Sequence, residues 1–308
     1  MNRRDFLVRS SMFTAAGLVA RSIATAQAPK APAAPVTPEF KLLRREVGVF
    51  TARGGSIGYL AGKDALAAVD TQFADTAKLF LDGLPGRAGR KLDVLVNSHH
   101  HGDHTGGNGV FKPETKMIVA HANVPALQRA AAERSKSADS QVYADTTFPT
   151  TWRKDVGSEV ISAKYFGAAH TSGDIVTLFQ KANVIHMGDL MFNRLYPVID
   201  RGSGGRIKGW ITVLEQVETE YPKDAIYIFG HGNPKFGVTG KSADLLVFRD
   251  YLSALLDYTQ KKITAGEPKE KIVALENLPG FADYHLPLPN RLGGNLATAY
   301  DELTDKKG

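Results

Sequence analysis

The 308 residues contain no cysteine. That absence excludes disulfides, thiolate nucleophiles, iron–sulfur clusters and every zinc site that needs a Cys ligand. A long apolar run is also missing at the N-terminus, where the stretch at 12–20 falls well short of the ~20 residues a spanning helix needs. No permanent membrane anchor is therefore expected. Charge of one sign is in modest excess, at +6. Half of that excess precedes residue 29, where Arg3, Arg4, Arg9 and Arg21 stand against Asp5. The remaining surplus gives no reason to expect a nucleic-acid partner. With 43% hydrophobic and 23% charged residues, the composition excludes disorder, collagen-like repeats and coiled coil.

What is present begins with an address. Residues 2–8 place the pair Arg3 and Arg4, then Asp5, then Phe6 and Leu7, closely similar to the twin-arginine export signature. The apolar stretch follows, and Ala26, Gln27 and Ala28 form an A-x-A-like cleavage site. The expectation is a twin-arginine signal peptide over 1–28, export machinery as a partner, and a periplasmic location. Pro29, Pro32, Pro35 and Pro38 recur with the period of polyproline II, so 29–39 reads as a stiff solvated spacer. One folded domain is expected over 40–308, since no internal repeat or second linker interrupts it.

Short β-rich segments at 46–52, 56–61 and 65–70 come first in that domain. A helix follows at 74–84, where Ala77, Phe80, Leu81 and Leu84 share a face and Pro85 and Gly86 end it. The run Leu92, Asp93, Val94, Leu95, Val96 is nearly all apolar, as in a strand covered on both faces. Further strands are expected at 116–120, 159–166, 174–180, 183–186 and 225–229. Helices are expected at 123–134, 211–217 and 245–256. This is an α/β pattern, and element spacing alone does not separate a mixed sandwich from a doubly wound sheet.

The chemistry concentrates directly after the 92–97 strand, in Ser98, His99, His100, His101, Gly102, Asp103 and His104. Side chains two apart on extended backbone point the same way, so His99, His101 and Asp103 would face one pocket and His100 another. Gly102 would let the chain turn and bring His104 round as a further ligand. Imidazole and carboxylate without thiolate suit zinc, iron or manganese. Three more ligand-type residues, His170, Asp189 and His231, each end a strand-like run.

The His-x-His-x-Asp-His pattern at 99–104, followed by His170, Asp189 and His231, resembles the metallo-β-lactamase superfamily. The similarity takes in the segment Gly54, Gly55, Ser56, Ile57, Gly58, the strand end Val69, Asp70, Thr71, and His170, Thr171, Ser172, Gly173, Asp174. It implies an αββα sandwich with a metal site at one edge of two sheets. It also implies two Zn2+ ions per chain. His99, His101 and His170 would hold the first, Asp103, His104 and His231 the second, and Asp189 would bridge them. The implied activity is hydrolysis of an amide or ester, a β-lactam or lactone foremost, by a metal-bound hydroxide, with Asp103 orienting it and moving its proton. The cysteine-bearing β-lactamases of the superfamily use a thiolate where this chain has Asp189, and an aspartate there is similar instead to glyoxalase II and lactonases.

Alternatives within the resemblance are a glyoxalase II-like thioester hydrolase and a mononuclear iron persulfide dioxygenase. The substrate is expected to be a small molecule. In the loop after the bridging aspartate, Asn193 and Tyr196, with Arg194, are candidate substrate contacts. Of the other histidines, His100, His121, His186 and His285, only His186 lies on a buried-looking strand. There it would either support the metal ligands or bond within the core.

Overall fold

The computed structural model describes residues 37–284 and 290–305. The expected export signal, most of the expected spacer and His285 lie outside them.

The first sheet runs β1 (Glu39–Arg44), β2 (Val47–Thr51), β3 (Ile57–Ala61), β4 (Leu66–Val69), β5 (Val94–Val96), β6 (Ile118–His121) and β7 (Thr146–Phe148), in that spatial order. The spacer thus gives way to strand at Glu39, one residue before the expected start of the domain. The strands that follow are β8 (Thr151–Val156), β9 (Glu159–Tyr165), β10 (Ile175–Phe179), β11 (Val184–His186), β12 (Phe192–Asn193), β13 (Ile226–Ile228), β14 (His231–Gly232) and β15 (Thr239–Gly240). A second sheet takes the order β15-β13-β11-β10-β9-β8, and β12 pairs with β14 alone.

The helices are α1 (Ala74–Gly83), α2 (Gly102–Thr105), α3 (Asn108–Phe111), α4 (Val124–Ser135), α5 (Ile207–Glu220), α6 (Ser242–Thr264), α7 (Lys269–Ile272) and α8 (Arg291–Thr304). Among the described residues, no helix is long and apolar enough to cross a membrane.

Strand alternation explains the layering. In β4, Ala67 and Val69 enter a cluster with Ile161, Phe179 and Ile228 of the second sheet. Their neighbours Leu66 and Ala68 point the other way, to Ala77 and Phe80 of α1 and Phe111 of α3. β5 repeats this split, with Val94 and Val96 between the sheets and Leu95 outside. An apolar run on both faces is what a central strand under a helix layer requires. Beyond the second sheet, α5, α6 and α8 contribute Trp210, Phe248, Leu252 and Leu296 to a third cluster. The order is helix, sheet, sheet, helix: the expected αββα sandwich. β5, β11 and β13 all end at one edge, and the chain leaves each of them into a ligand-bearing loop.

Candidate metal centre

After β5 the chain bends through 98–100, is extended at His101 (φ −64°, ψ 149°) and then enters α2 at Gly102. The histidines separate as expected, but across bends rather than along an extended run. His99 and His101 turn to one side, and His100 turns away, its Nε2 reaching Ser203 Oγ at 3.2 Å. Gly102 does not act as expected. It has no left-handed backbone, and a Cβ there would meet nothing within 4 Å. The turn that brings Asp103 and His104 round is the first turn of α2 itself. Asp103 therefore does not share the side of His99 and His101, but joins His104.

Seven side chains converge in two groups. The ligand atoms of His99, His101, His170 and Asp189 lie within 4.8 Å of one another, as do those of Asp103, His104 and His231. In the first group, His101 Nδ1 and His170 Nε2 stand 2.9 Å apart. Asp189 Oδ2 lies 3.8 Å from His99 Nε2 and 3.6 Å from His170 Nε2. Its other oxygen, Oδ1, faces the second group, 2.9 Å from His104 Nε2 and 3.3 Å from His231 Nε2. Asp103 Oδ2 is 3.1 Å from His231 Nε2. One carboxylate thus serves both groups, one oxygen each. Its place depends on glycine. Gly188 adopts φ +50° directly before it, and a Cβ on Gly230 would collide with Asp189 Oδ1.

Cation binding is tested by what these groups lack. His99 Nε2 is buried and makes no hydrogen bond among the described residues. A buried polar atom left unpaired costs roughly 1–3 kcal/mol, and this one faces the space between the first group's ligand atoms. The donor set, five imidazoles and two carboxylates, is that of a divalent metal site. The residues fit the group that the sequence pattern implies.

Protonation follows the same logic. Burial works against a charged His104, but Asp189, Asp103 and Asp70 outweigh it and hold its pKa well above the usual imidazole range. Burial likewise opposes charge on His231, yet Asp189 and Asp103 bring it up to about 9. Burial lowers His99 and, aided by His101, lowers His170 to about 4. In metal-free protein, two protonated imidazoles thus lie against the carboxylates.

A raised His231 stabilises the fold fully below its unfolded value of about 6.5, and loses that contribution as pH climbs through 9. His170, kept neutral, stabilises above about 6.5 and loses its share as pH falls toward 4. Thermal unfolding of chelated protein should therefore show a maximum near neutrality, with a lower Tm at pH 9.5. A Tm that rises steadily to pH 9.5 would contradict these assignments.

Groups behind the ligands were not legible as functional in the sequence. Asp70, in left-handed backbone at the end of β4 (φ +70°), accepts from Ser98 N and Ser98 Oγ at 2.7 Å and from His104 Nδ1 at 2.7 Å. Ser98 Oγ also meets His99 Nδ1 at 3.0 Å. Asp200 Oδ2 lies 2.9 Å from His101 Nε2, and the Val198 carbonyl takes the Nδ1 proton of His170 at 2.8 Å. Apolar rings close the site. Phe192 stacks on His231 at 5.2 Å, and Trp210 stands 5.5 Å from His170.

The two proposed substrate contacts lie elsewhere. Tyr196 is buried in the third core cluster with Tyr251 and Tyr284 at 5.6 and 5.7 Å. Asn193 is buried too. Its Nδ2 donates to Gly237 O at 2.9 Å, and its Oδ1 accepts from Arg194, which also holds Asp244. Both groups are buried and bonded or packed within the loop's own surroundings. His186 bonds within the core, its Nε2 to Ser56 O at 3.2 Å and its Nδ1 accepting from Gly188 N, and so braces the turn that carries Asp189. His121 stacks on Tyr165 at 4.0 Å, away from the centre.

The family model of the metallo-beta-lactamase superfamily matches residues 51–231, from the end of β2 to the last ligand-type histidine. The chain belongs to this superfamily. A metallo-beta-lactamase type 2 of Elizabethkingia meningoseptica is 22% identical over 246 residues, 73% of this chain and 89% of the relative. Among solved structures, a metallo-beta-lactamase from Pontibacter korlensis aligns with a TM-score of 0.57 at 18% identity, over 70% of this chain and 99% of its own. A double mutant of the sec-alkyl sulfatase PisA1 aligns with a TM-score of 0.66 at 18% identity, over 87% of this chain and 50% of its own. At these identities the solved neighbours speak for the fold. Within the superfamily fold, all seven converging side chains fall inside the matched segment, while β15 and α6–α8 extend beyond it.

Proposed function

We propose that the protein is a dinuclear zinc hydrolase acting on an amide or ester bond of a small molecule, a β-lactam or lactone foremost. One observation carries this reading: two ligand groups share Asp189, and the mouth side is left to His101, Asp103 and His231, each partly exposed while the other four are buried. His99, His101 and His170 would hold one ion, and Asp103, His104 and His231 the other. When bound, such a pair acidifies water to near neutral pKa and polarises the scissile carbonyl.

The chain's own groups do the rest. Asp189 would offer one oxygen to each site. Phe192 and Trp210 keep the imidazole faces dry, which strengthens every charge interaction there. Asp103 is the more exposed of the two ligand carboxylates, and only its Oδ2 is committed toward His231. We assign its other oxygen, Oδ1, to carrying the proton to the leaving atom.

Elemental analysis of purified protein, joined to a panel of a β-lactam, a lactone, a thioester, a phosphodiester and a secondary alkyl sulfate, tests the reading. The expected result is two zinc ions per chain and hydrolysis of an amide or ester that chelation abolishes. One iron per chain with oxygen uptake on a persulfide would overturn it. We propose in addition that residues 1–28 direct twin-arginine export to the periplasm. Replacing Arg3 and Arg4 by lysine should trap precursor in the cytoplasm, and undiminished export would refute the assignment.

A further inference from the structure

A third set of donors lies beside the two ligand groups. His100, His101 and Asp200 offer ligand atoms that all lie within 4.8 Å of one another. Asp200 Oδ2 stands 2.9 Å from His101 Nε2 and 3.8 Å from His100 Nε2. Those spacings repeat the ones in the centre itself, where the Asp189 oxygens stand between 2.9 and 3.8 Å from the imidazoles they face. A fourth donor, Ser203 Oγ, is 3.2 Å from His100 Nε2.

This set is assembled from two separate segments and held in place. His100 and His101 follow β5, whereas Asp200 opens the short 3-10 turn Arg201–Ser203. Asp200 Oδ1 accepts from Ser203 N at 3.0 Å, which leaves Oδ2 to the two imidazoles. The turn is tied to the segment bearing His170. Ser172 N and Ser172 Oγ donate to Ser203 O at 2.9 and 2.8 Å, and Asp200 N donates to His170 O at 3.2 Å. The His100 side chain is buried, while those of His101 and Asp200 are each 21% exposed, so one side opens to solvent. A carboxylate whose one task was to orient His101 would need neither a second imidazole nor a hydroxyl beside it. His101 also presents a different nitrogen to each group: Nδ1 lies 2.9 Å from His170 Nε2, and Nε2 faces Asp200.

We propose that His100, His101 and Asp200, with Ser203 Oγ completing the set, form a third cation site for a divalent ion of the zinc and copper class, joined to the first ligand group through the His101 ring. Imidazole and carboxylate donors at four positions suit such ions. The proposal rests on the metal-binding reading above, because His101 belongs to both groups. Binding replaces the hydrogen bond between His101 Nε2 and Asp200 by a bond from each to the ion. The Nε2 proton leaves to solvent, one per ion bound. That lost proton, and repulsion from a neighbouring dication, make this the weakest step, filled when the cation is in excess.

The probe is zinc alone, dialysed to equilibrium with chelated full-length protein over a range of free zinc. The native chain should take up three equivalents, the third at least about tenfold more weakly than the second. Calorimetry in buffers of different ionisation heat should show one proton released in that third step. His100→Gln keeps a polar side chain near Ser203 but removes an imidazole, so it should saturate at two equivalents and lose that release. Ser203→Ala removes the hydroxyl alone and should weaken the third step about 10–100-fold. It decides the question even if glutamine at the buried position 100 prevents folding.

Saturation of the native chain at two equivalents, or a third equivalent that either variant retains at native affinity, would overturn the third site while leaving a dinuclear hydrolase intact. Failure of the native chain to bind zinc at all would instead remove the reading on which it rests.

Discussion

Asp189→Asn is expected to lower kcat/KM by about a thousandfold or more and to leave fewer than two metal ions per chain, a loss equivalent to roughly 4 kcal/mol of transition-state stabilisation. The reason is placement. Asp189 turns one oxygen to each ligand group, with Oδ2 toward His99 and His170 and Oδ1 toward His104 and His231. The asparagine keeps the volume, so packing under Gly188 and Gly230 survives. It removes the negative charge from a buried position surrounded by four imidazoles, and its NH2 cannot ligate a cation. Two divalent ions held near one another by neutral imidazoles and a single remaining carboxylate repel without compensation.

The contrast with loop variants makes the test specific. Tyr196→Phe removes a hydroxyl in the aromatic core, and Asn193→Ala loosens the tie to Gly237, so both should alter stability more than catalysis. Steady-state kinetics with elemental analysis on the three proteins decides the matter. Two ions per chain and kcat/KM within tenfold of native for Asp189→Asn would end the shared-carboxylate account.

How much of this was readable beforehand depends on whether a residue's role is local. His99, His101 and His104 announce themselves because imidazoles interleaved on a few residues have few other uses, and each later ligand follows a strand-like run in the sequence. Asp70, Ser98 and Asp200 are equally involved, but Asp and Ser are common at strand ends and turns. Their significance is a contact across 34 residues for Asp70 with His104, and 99 for Asp200 with His101.

Nearness in sequence also misled. The loop after Asp189 does pass the centre, but Phe192 pairs with His231 and Asn193 with Gly232 in parallel strands. Alternation then turns Phe192 onto the His231 ring and Asn193 toward Gly237. Among the helices, α8 was invisible because Gly293 and Gly294 interrupt it, residues of low helix propensity. Gly293 is there for contact, since a Cβ would press on Val273 O at 2.8 Å. Edge strand β8, with mostly exposed residues, carries no apolar alternation to betray it.

Removal of metal should lower Tm by about 8–16 °C. An ion present at a thousand times its Kd contributes about 4 kcal/mol to the folded state. In domains of roughly this size each kcal/mol moves Tm by about 2–4 °C. The ligands also come from both halves of the sandwich. His99, His101, Asp103 and His104 follow β5 of the first sheet, whereas His170, Asp189 and His231 precede β10 and follow β11 and β13 of the second. A cation there ties the two sheets together at an edge where the inter-sheet apolar cluster has ended. Chelation also leaves His99 Nε2 buried without a partner.

The loss should therefore be local before it is global. Amide exchange should rise first at 97–105, 169–173, 188–193 and 230–232, while α6, packed through Leu245, Phe248 and Leu252, stays protected. Calorimetry of native and chelated protein, with exchange measured at one temperature, checks both parts. A Tm shift under 2 °C, or exchange that rises uniformly through α6, would mean that the centre contributes little to holding the sheets.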